Sequence, residues 1–359
     1  MKIGILTFHC AHNYGAVLQT YALQEFLRER GNEVYVIDYR PEYLTKQYRE
    51  SLLSSIKEIP IPSFIKHLVM EPFIGPHLRC RYNKFDNFIS DYLNLKPYNN
   101  PELSEYDAVI LGSDQIWSPN ITGDKFDDNY FASKAECRII SYAASSNLSG
   151  FSEIEKSYLK SQLSRFYAIS VREKSLCLNL SKFVTSNITT VVDPTLLAGA
   201  EVFEKIIVNS KRRNEDYVLC FELNPYKEVR EISVDIARQL HSKVVYLAGY
   251  PYPNRIFNSI TDISPSEMLR LVRDARCIVT SSFHGSCFSL IFGRPFYVVR
   301  KGNSGDARFV SMLEDFGIKE RMINKYERPV FSGIDYTKVT ESMNKFIHNS
   351  RSFLETALQ

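Results

Sequence analysis

The sequence holds one tryptophan, no Cys-x-x-Cys pair and no apolar run long enough to cross a bilayer. Its seven cysteines are scattered and odd in number, and several sit inside apolar strand patterns. That distribution argues against a disulfide framework or a zinc site and fits small buried hydrophobes in a reducing compartment. The opening MKIGILTFHC has one lysine and an apolar stretch too short for a secretory signal, so a strand explains it better. Charge of one sign is also lacking. Lys and Arg total 44 against 41 Asp and Glu, a net charge of +3, and no extended basic run points to nucleic acid. A cytoplasmic location is therefore expected.

What is present suits a globular enzyme. The 359 residues suggest about two domains. Tyrosine (22) and phenylalanine (23) are abundant, which fits either sheet and helix packing or a polar, sugar-like ligand surface. Lys2–Phe8 reads as a strand, residues 15–30 as a helix with apolar residues at helical spacing, and Glu33–Asp38 as the next strand. This β-α-β unit predicts a parallel sheet. Residues 41–100 break the rhythm with proline, aromatics and mixed charge, and read as inserted helices with irregular turns. They serve either to cover the sheet or to make a peripheral membrane contact through exposed apolar and basic residues.

Strands return at Ala108–Leu111, Ile139–Ala143, Ala168–Val171 and Thr189–Val192, each ending in a polar motif: GSDQIW, SYAASS, SVREKS and VVDPTLL. Polar residues at the carboxyl ends of parallel strands are where open α/β sheets bind ligands. A domain boundary is placed in the charged stretch 199–216. A second series follows: strand 217–221, helix 227–240, strand 243–247, helix 265–273, strand Cys277–Thr280, helix 286–292, strand 295–299 and helix 307–316. The expected fold is α/β, two Rossmann-like domains facing a cleft. They span 1–198 and 217–330, with a terminal helix over 335–359 that returns to the first.

Chemistry concentrates in CIVTSSFHGSCFSLIFGRPF, Cys277–Phe296. A buried strand feeding a helix through a Ser/Gly turn gathers free N–H groups and the positive helix end, which suits an anion. Ser282, Gly285 and Ser286 form that turn, with His284 placed as an acid or base. Arg172 ends a strand, where its planar fork can meet a carboxylate, unless it pairs with Glu173 or another acid; Glu173 is itself a candidate substrate contact. Lys301 and Arg308 bracket KGNSGDAR, a loop whose cations can meet an anion. Asp114, Gln115 and Trp117 suit a sugar through hydrogen bonds, proton abstraction and ring stacking. Equally, they suit an N-cap and a packed ring. His12, Asn13, Tyr14 and Gly15 in the first βα loop, with Ser145 in the SYAASS motif, are further polar contacts. His9, Cys10 and His12 lack a further ligand at useful spacing, so no metal is expected. Asp193-Pro194 reads as a structural turn.

HNYGAVLQTYAL, LGSDQIW, SYAASS, SVRE, VVDPTLL and TSSFHGSCFSLIFGRPF together resemble the polysaccharide pyruvyl transferase family over nearly the whole chain. The resemblance implies a GT-B-like fold and transfer of a pyruvyl unit from phosphoenolpyruvate to a sugar diol, often lipid-linked, at the inner face of the membrane. The product is a pyruvate ketal, phosphate is released, and no cofactor is needed. It carries the catalytic His onto His284 and the Arg of S-x-R-[DE] onto Arg172. Relatives also carry an Arg two residues before the His, where this chain has Ser282, so Lys301, Arg300 or Arg308 is the alternative source of charge. Two other readings stand beside it. A nucleotide-sugar glycosyltransferase on the same scaffold would use Glu222 for the ribose. A binding module would sense a phosphorylated metabolite.

Overall fold

The computed structural model describes residues 1–48, 50–52, 61–207, 216–249, 259–302, 304–324 and 326–359, with backbone alone at 61–66 and 304. In the first half β1 (Lys2–Leu6) leads through α1 (Tyr14–Arg28) to β2 (Glu33–Asp38). Then come α2 (Glu42–Thr45), α3 (Ile61–Tyr92), β3 (Leu95–Pro97), β4 (Ala108–Leu111) and β5 (Arg138–Ala144). After α4 (Glu153–Leu163), β6 (Ala168–Val171), α5 (Lys174–Leu180) and β7 (Ile188–Thr190), the chain crosses on α6 (Pro194–Ala198) and α7 (Ala200–Glu204). The second half holds β8 (Tyr217–Glu222), α8 (Lys227–Gln239), β9 (Lys243–Ala248), α9 (Pro265–Asp274) and β10 (Cys277–Thr280). It closes with α10 (Phe283–Ile291), β11 (Phe296–Val299), α11 (Ala307–Asp315), β12 (Met322–Ile323) and α12 (Tyr336–Ala357).

The strands form two parallel sheets, ordered β3-β2-β1-β4-β5-β6-β7 and β12-β11-β10-β8-β9. Each is an open doubly wound sheet whose order reverses once, between β1 and β4 in the first and between β8 and β10 in the second. Ligands bind outside the carboxyl ends of the strands at such reversals. The architecture is the α/β pair of Rossmann-like sheets expected from the strand and helix rhythm. Central strands are buried on both faces, as parallel strands covered by helices must be. α8 shows the surface-helix pattern, burying Val229, Ile232, Ser233, Ile236 and Ala237 on one stripe. Ser264 and Glu267 form a capping box that starts α9, with Pro265 in the first turn.

Four departures from the sequence reading have physical reasons. β3 and β12 are edge strands of three and two residues, too short to show a period. The irregular helices expected over 41–100 are dominated by one helix, α3, which runs through Pro72 and Pro76. Packing of Phe85, Phe88 and Ile89 into the core outweighs the local cost of those prolines. α10 begins at Phe283, three residues early, because Ser282 accepts the Gly285 N–H and acts as N-cap. The charged stretch 199–216 begins with α7, whose Phe203 meets Tyr21 of α1 and Phe288 of α10; residues 208–215 lie outside the described ones.

α3 ties the halves together, and its buried Arg81 is the central link. Its guanidinium donates to the His12 carbonyl (2.9 Å), the Tyr14 hydroxyl (2.9 Å) and the Thr261 carbonyl (3.1 Å). It also lies over the Tyr14 and Phe85 rings. His77 and Lys84 pair with Asp262 and Glu267 nearby. Arg81→Met keeps the bulk and removes three hydrogen bonds. It is expected to cost about 2–4 kcal/mol in urea unfolding, whereas a loss below about 0.5 kcal/mol contradicts the clamp.

Candidate functional site

The loops at the two strand-order reversals meet. Asn13 caps α1, accepting the Gly15 N–H at 3.0 Å. Gly15 then lies against the imidazole of His284 on α10, and a Cβ there would stand 1.9 Å from His284 Nδ1. Only glycine allows this approach. Gly285 plays the same part on the other side of the helix, where a Cβ would stand 2.7 Å from Thr280 Oγ1 and 2.9 Å from Phe221 Cδ1.

Across from His284 lies Asp193, the N-cap of α6. Its Oδ1 accepts the Thr195 N–H (3.0 Å) and hydroxyl (2.8 Å). Its Oδ2 accepts Arg172 Nη1 (2.9 Å) and the Ser113 hydroxyl (3.1 Å) and stands 3.5 Å from His284 Nε2. That last distance is beyond a normal hydrogen bond, and among the described residues His284 Nε2 is buried with no hydrogen-bond partner. Burial would raise the Asp193 carboxyl. The His284 imidazole, the Arg172 guanidinium and the Thr195 N–H outweigh it and hold the group well below the usual carboxylate range.

Arg172 was expected to offer its fork to a ligand. In the structure Nε meets Glu173 Oε1 (3.0 Å), Nη1 meets Asp193, and Nη2 meets the Ser145 hydroxyl (2.9 Å). The Phe283 ring covers it 4.4 Å from the guanidinium carbon. Ser145 also donates to Glu173 Oε1 at 2.8 Å. A register shift between β5 and β6 at Ser141–Ala144, filled by the hydroxyls of Ser141 and Ser170, brings Ser145 and Arg172 together.

A second cation, Arg308 on α11, is part-buried at the wall of a cavity. Its Nε has a long contact to the Gly305 carbonyl (3.4 Å), and among the described residues it makes no ion pair. Burial and nearby Arg172 lower its pKa, offset in part by Glu173 and Asp114. Lys301 is lowered too, by desolvation and then by Arg308. Both line a polar cavity of about 270 Å³ with Gln115, Asn147, Ser281 and Asp306. Asp306 is engaged elsewhere, by the N–H groups of Lys301 and Gly302 and by Arg300. An anion placed there would relieve both cations.

Several expected contacts are corrected. Trp117 is buried, stacks on Phe131 and donates its indole N–H to the Tyr130 carbonyl, so it packs the core instead of facing a sugar. Tyr14 is buried at the junction of the halves and donates to the Ile263 carbonyl. His12 sits among Tyr48, Tyr82 and Phe85, where burial and the cations Arg81 and Arg40 lower its pKa to about 3. The N–H groups of Gly285 and Ser286 are taken by Ser282, so the free amides at the start of α10 are those of Phe283 and His284. Glu222 holds Arg230 at 2.5 Å and the Tyr226 N–H. Asp114 has φ +78° and accepts the Gln115 N–H. Asp193 and Asn147 were missed. Asp193 followed by proline reads as a structural turn, and that reading hid an N-cap that also meets His284.

The polysaccharide pyruvyl transferase family profile matches residues 13–301, and the chain belongs to that family. No curated protein matches it in sequence. Among solved structures it is similar in fold to S. aureus MnaA with UDP (11% identity, 99% of this chain and 91% of that one, TM-score 0.45). It is similar also to the UDP-N-acetylglucosamine 2-epimerase of Rickettsia bellii (10%, 97% and 88%, 0.46). The UDP-GlcNAc 2-epimerase of Neisseria meningitidis is a third (12%, 99% and 94%, 0.45).

Two expectations follow from the geometry. Gly15→Ala forces the His284 ring to move and should cost about 1–3 kcal/mol by overpacking, read by urea unfolding. Asp193 has a depressed folded pKa, so its contribution to stability is complete above the unfolded value of about 4 and is lost as pH falls below it. Unfolding free energies from pH 6 to pH 3 should therefore fall less steeply in Asp193→Asn than in the wild type. Equal slopes contradict the assignment.

Proposed function

We propose that the protein transfers the pyruvyl unit of phosphoenolpyruvate to two hydroxyls of a sugar in a cell-surface polysaccharide or its lipid-linked precursor. Family membership supports polysaccharide pyruvylation. The observation that carries the donor assignment is Arg308, which makes no ion pair among the described residues and lines a polar cavity with Lys301. Phosphoenolpyruvate brings a phosphate and a carboxylate, and two cations beside the amides that open α10 match that pair of charges. Arg308 takes over the role that an Arg at position 282 has in relatives, while Ser282 serves as the N-cap that starts α10.

The reaction needs an acid at C3 of the donor. His284, with Asp193 arranged to stabilise an imidazolium, delivers that proton, converting the CH2 group to CH3 and leaving an oxocarbenium centre at C2. The first sugar hydroxyl bonds to C2 and loses its proton. The second then displaces phosphate, losing its own, and the ketal is complete. Two hydroxyl protons are lost, one new C–H bond is formed and phosphate departs with the remaining proton. An unpaired buried nitrogen costs about 1–3 kcal/mol, and a ligand that supplies the missing partner of His284 Nε2 recovers it. Arg172 acts through Asp193 and Glu173 as a positioning residue in this scheme. The glycosyltransferase alternative has less support, since Glu222 is held by Arg230.

Phosphoenolpyruvate at a hundred times its Kd should stabilise the protein by about 2.7 kcal/mol, read as a thermal shift. Arg308→Ala should abolish the shift while leaving the unliganded melting temperature within a degree or two. A shift with UDP-sugars alone contradicts the proposal.

A further inference from the structure

Addition across the C2–C3 double bond of the donor places demands on two atoms. C3 receives a proton while the incoming oxygen loses one. One group beside C3 serves the first need, and a base beside the attacking hydroxyl serves the second. The proposed chemistry, on which this inference rests, assigns the acid and leaves the base open. Asp114 was the sequence candidate, but it is part-exposed and already accepts the Gln115 N–H.

Glu173 has a different environment. The residue is 2% exposed. Its Oε1 accepts from Arg172 Nε and from Ser145, which fixes the carboxylate plane. Its Oε2 has no hydrogen-bond partner, and among the described residues it is the buried carboxylate oxygen left in that state. A buried acceptor without a partner is rare and calls for an explanation. The Arg172 guanidinium carries Glu173 on one edge and Asp193 on another, so one rigid cation sets the spacing between Glu173 and the Asp193–His284 contact. Arg172, which holds Glu173, lines one small cavity together with Arg308, the cation that would hold the donor. A second orphaned acceptor, Asn147 Oδ1, follows β5 and lines the cavity that holds Arg308 and Lys301. Two unpartnered acceptors, one lining the cation cavity and one held by Arg172, fit a hydroxyl-bearing ligand next to an anionic one.

We infer that Glu173 is the catalytic base for the acceptor. Its Oε2 accepts the attacking hydroxyl, the O–H bond breaks as the oxygen bonds to C2, and the proton goes to the carboxylate. Asn147 holds the neighbouring hydroxyl and so selects for a diol. The proton on Glu173 is returned to the phosphate as it leaves, which restores the carboxylate, and the second hydroxyl gives its proton to His284, which replaces the one delivered to C3.

The test measures phosphate release from phosphoenolpyruvate with methyl hexopyranosides that carry free diols. Glu173→Gln preserves the acceptor for Arg172 and Ser145. It should keep the phosphoenolpyruvate thermal shift and the KM for phosphoenolpyruvate within about twofold while kcat falls at least about 100-fold. In Glu173→Ala, added formate should restore the rate at least about tenfold. Asn147→Ala should raise the KM for the glycoside and leave that for phosphoenolpyruvate unchanged. A Glu173→Gln kcat within threefold of wild type overturns the inference. So does parallel loss of donor binding and turnover, the signature of a merely structural group. A wild-type protein that neither binds phosphoenolpyruvate nor releases phosphate from it overturns the transfer reading itself, a distinct result.

Discussion

The site depends on one carboxylate. Asp193 belongs to the first half of the chain, is fully buried and carries a charge, which only close partners make tolerable. Those partners come from four places: Ser113 after β4, Arg172 after β6, Thr195 in α6 and His284 in α10 of the other half. The crossover to the second sheet, the ends of two strands and the start of a helix must therefore arrive at one point. The Arg81 clamp and the shared core around Tyr21, Phe203 and Phe288 hold the halves where that can happen.

Two glycines decide how close the halves come. Gly15 lets the N-terminus of α1 touch the His284 ring, and Gly285 lets α10 settle onto Phe221 and Thr280. The strand-order reversals of the two sheets supply loops that face each other, and these contacts turn a cleft into a site. Within it, charges segregate. Arg172 and Asp193 form a buried positioning pair that fixes Glu173, whereas Arg308 and Lys301 face the polar cavity.

Much of this was legible in the sequence. Apolar runs of four to six residues ending in polar motifs marked β4, β6, β8 and β10, and the motif around His284 marked the site. The signal failed where local pattern and tertiary role diverge. Trp117 and Tyr14 follow strand ends and look like ligand contacts, but a sequence does not tell a ring turned into the core from one turned into a cleft. Pro72 and Pro76 predicted breaks in a helix that packing sustains. Arg172 at a strand end and Arg308 in a loop both read as cations able to meet an anionic ligand. Only the arrangement of neighbouring acids separates the one that positions from the one left to meet a ligand. Asp193-Pro194 read as a structural turn, and that sufficient local explanation concealed both its N-cap role and its contact with His284.

The central claim is that Asp193 and His284, one from each half, act as a unit. A double-mutant cycle on phosphate release from phosphoenolpyruvate, with Asp193→Asn, His284→Gln and the pair, tests it most directly. The account predicts strong non-additivity, with the double variant no slower than His284→Gln alone. Rate losses that multiply, as for independent residues, would contradict it.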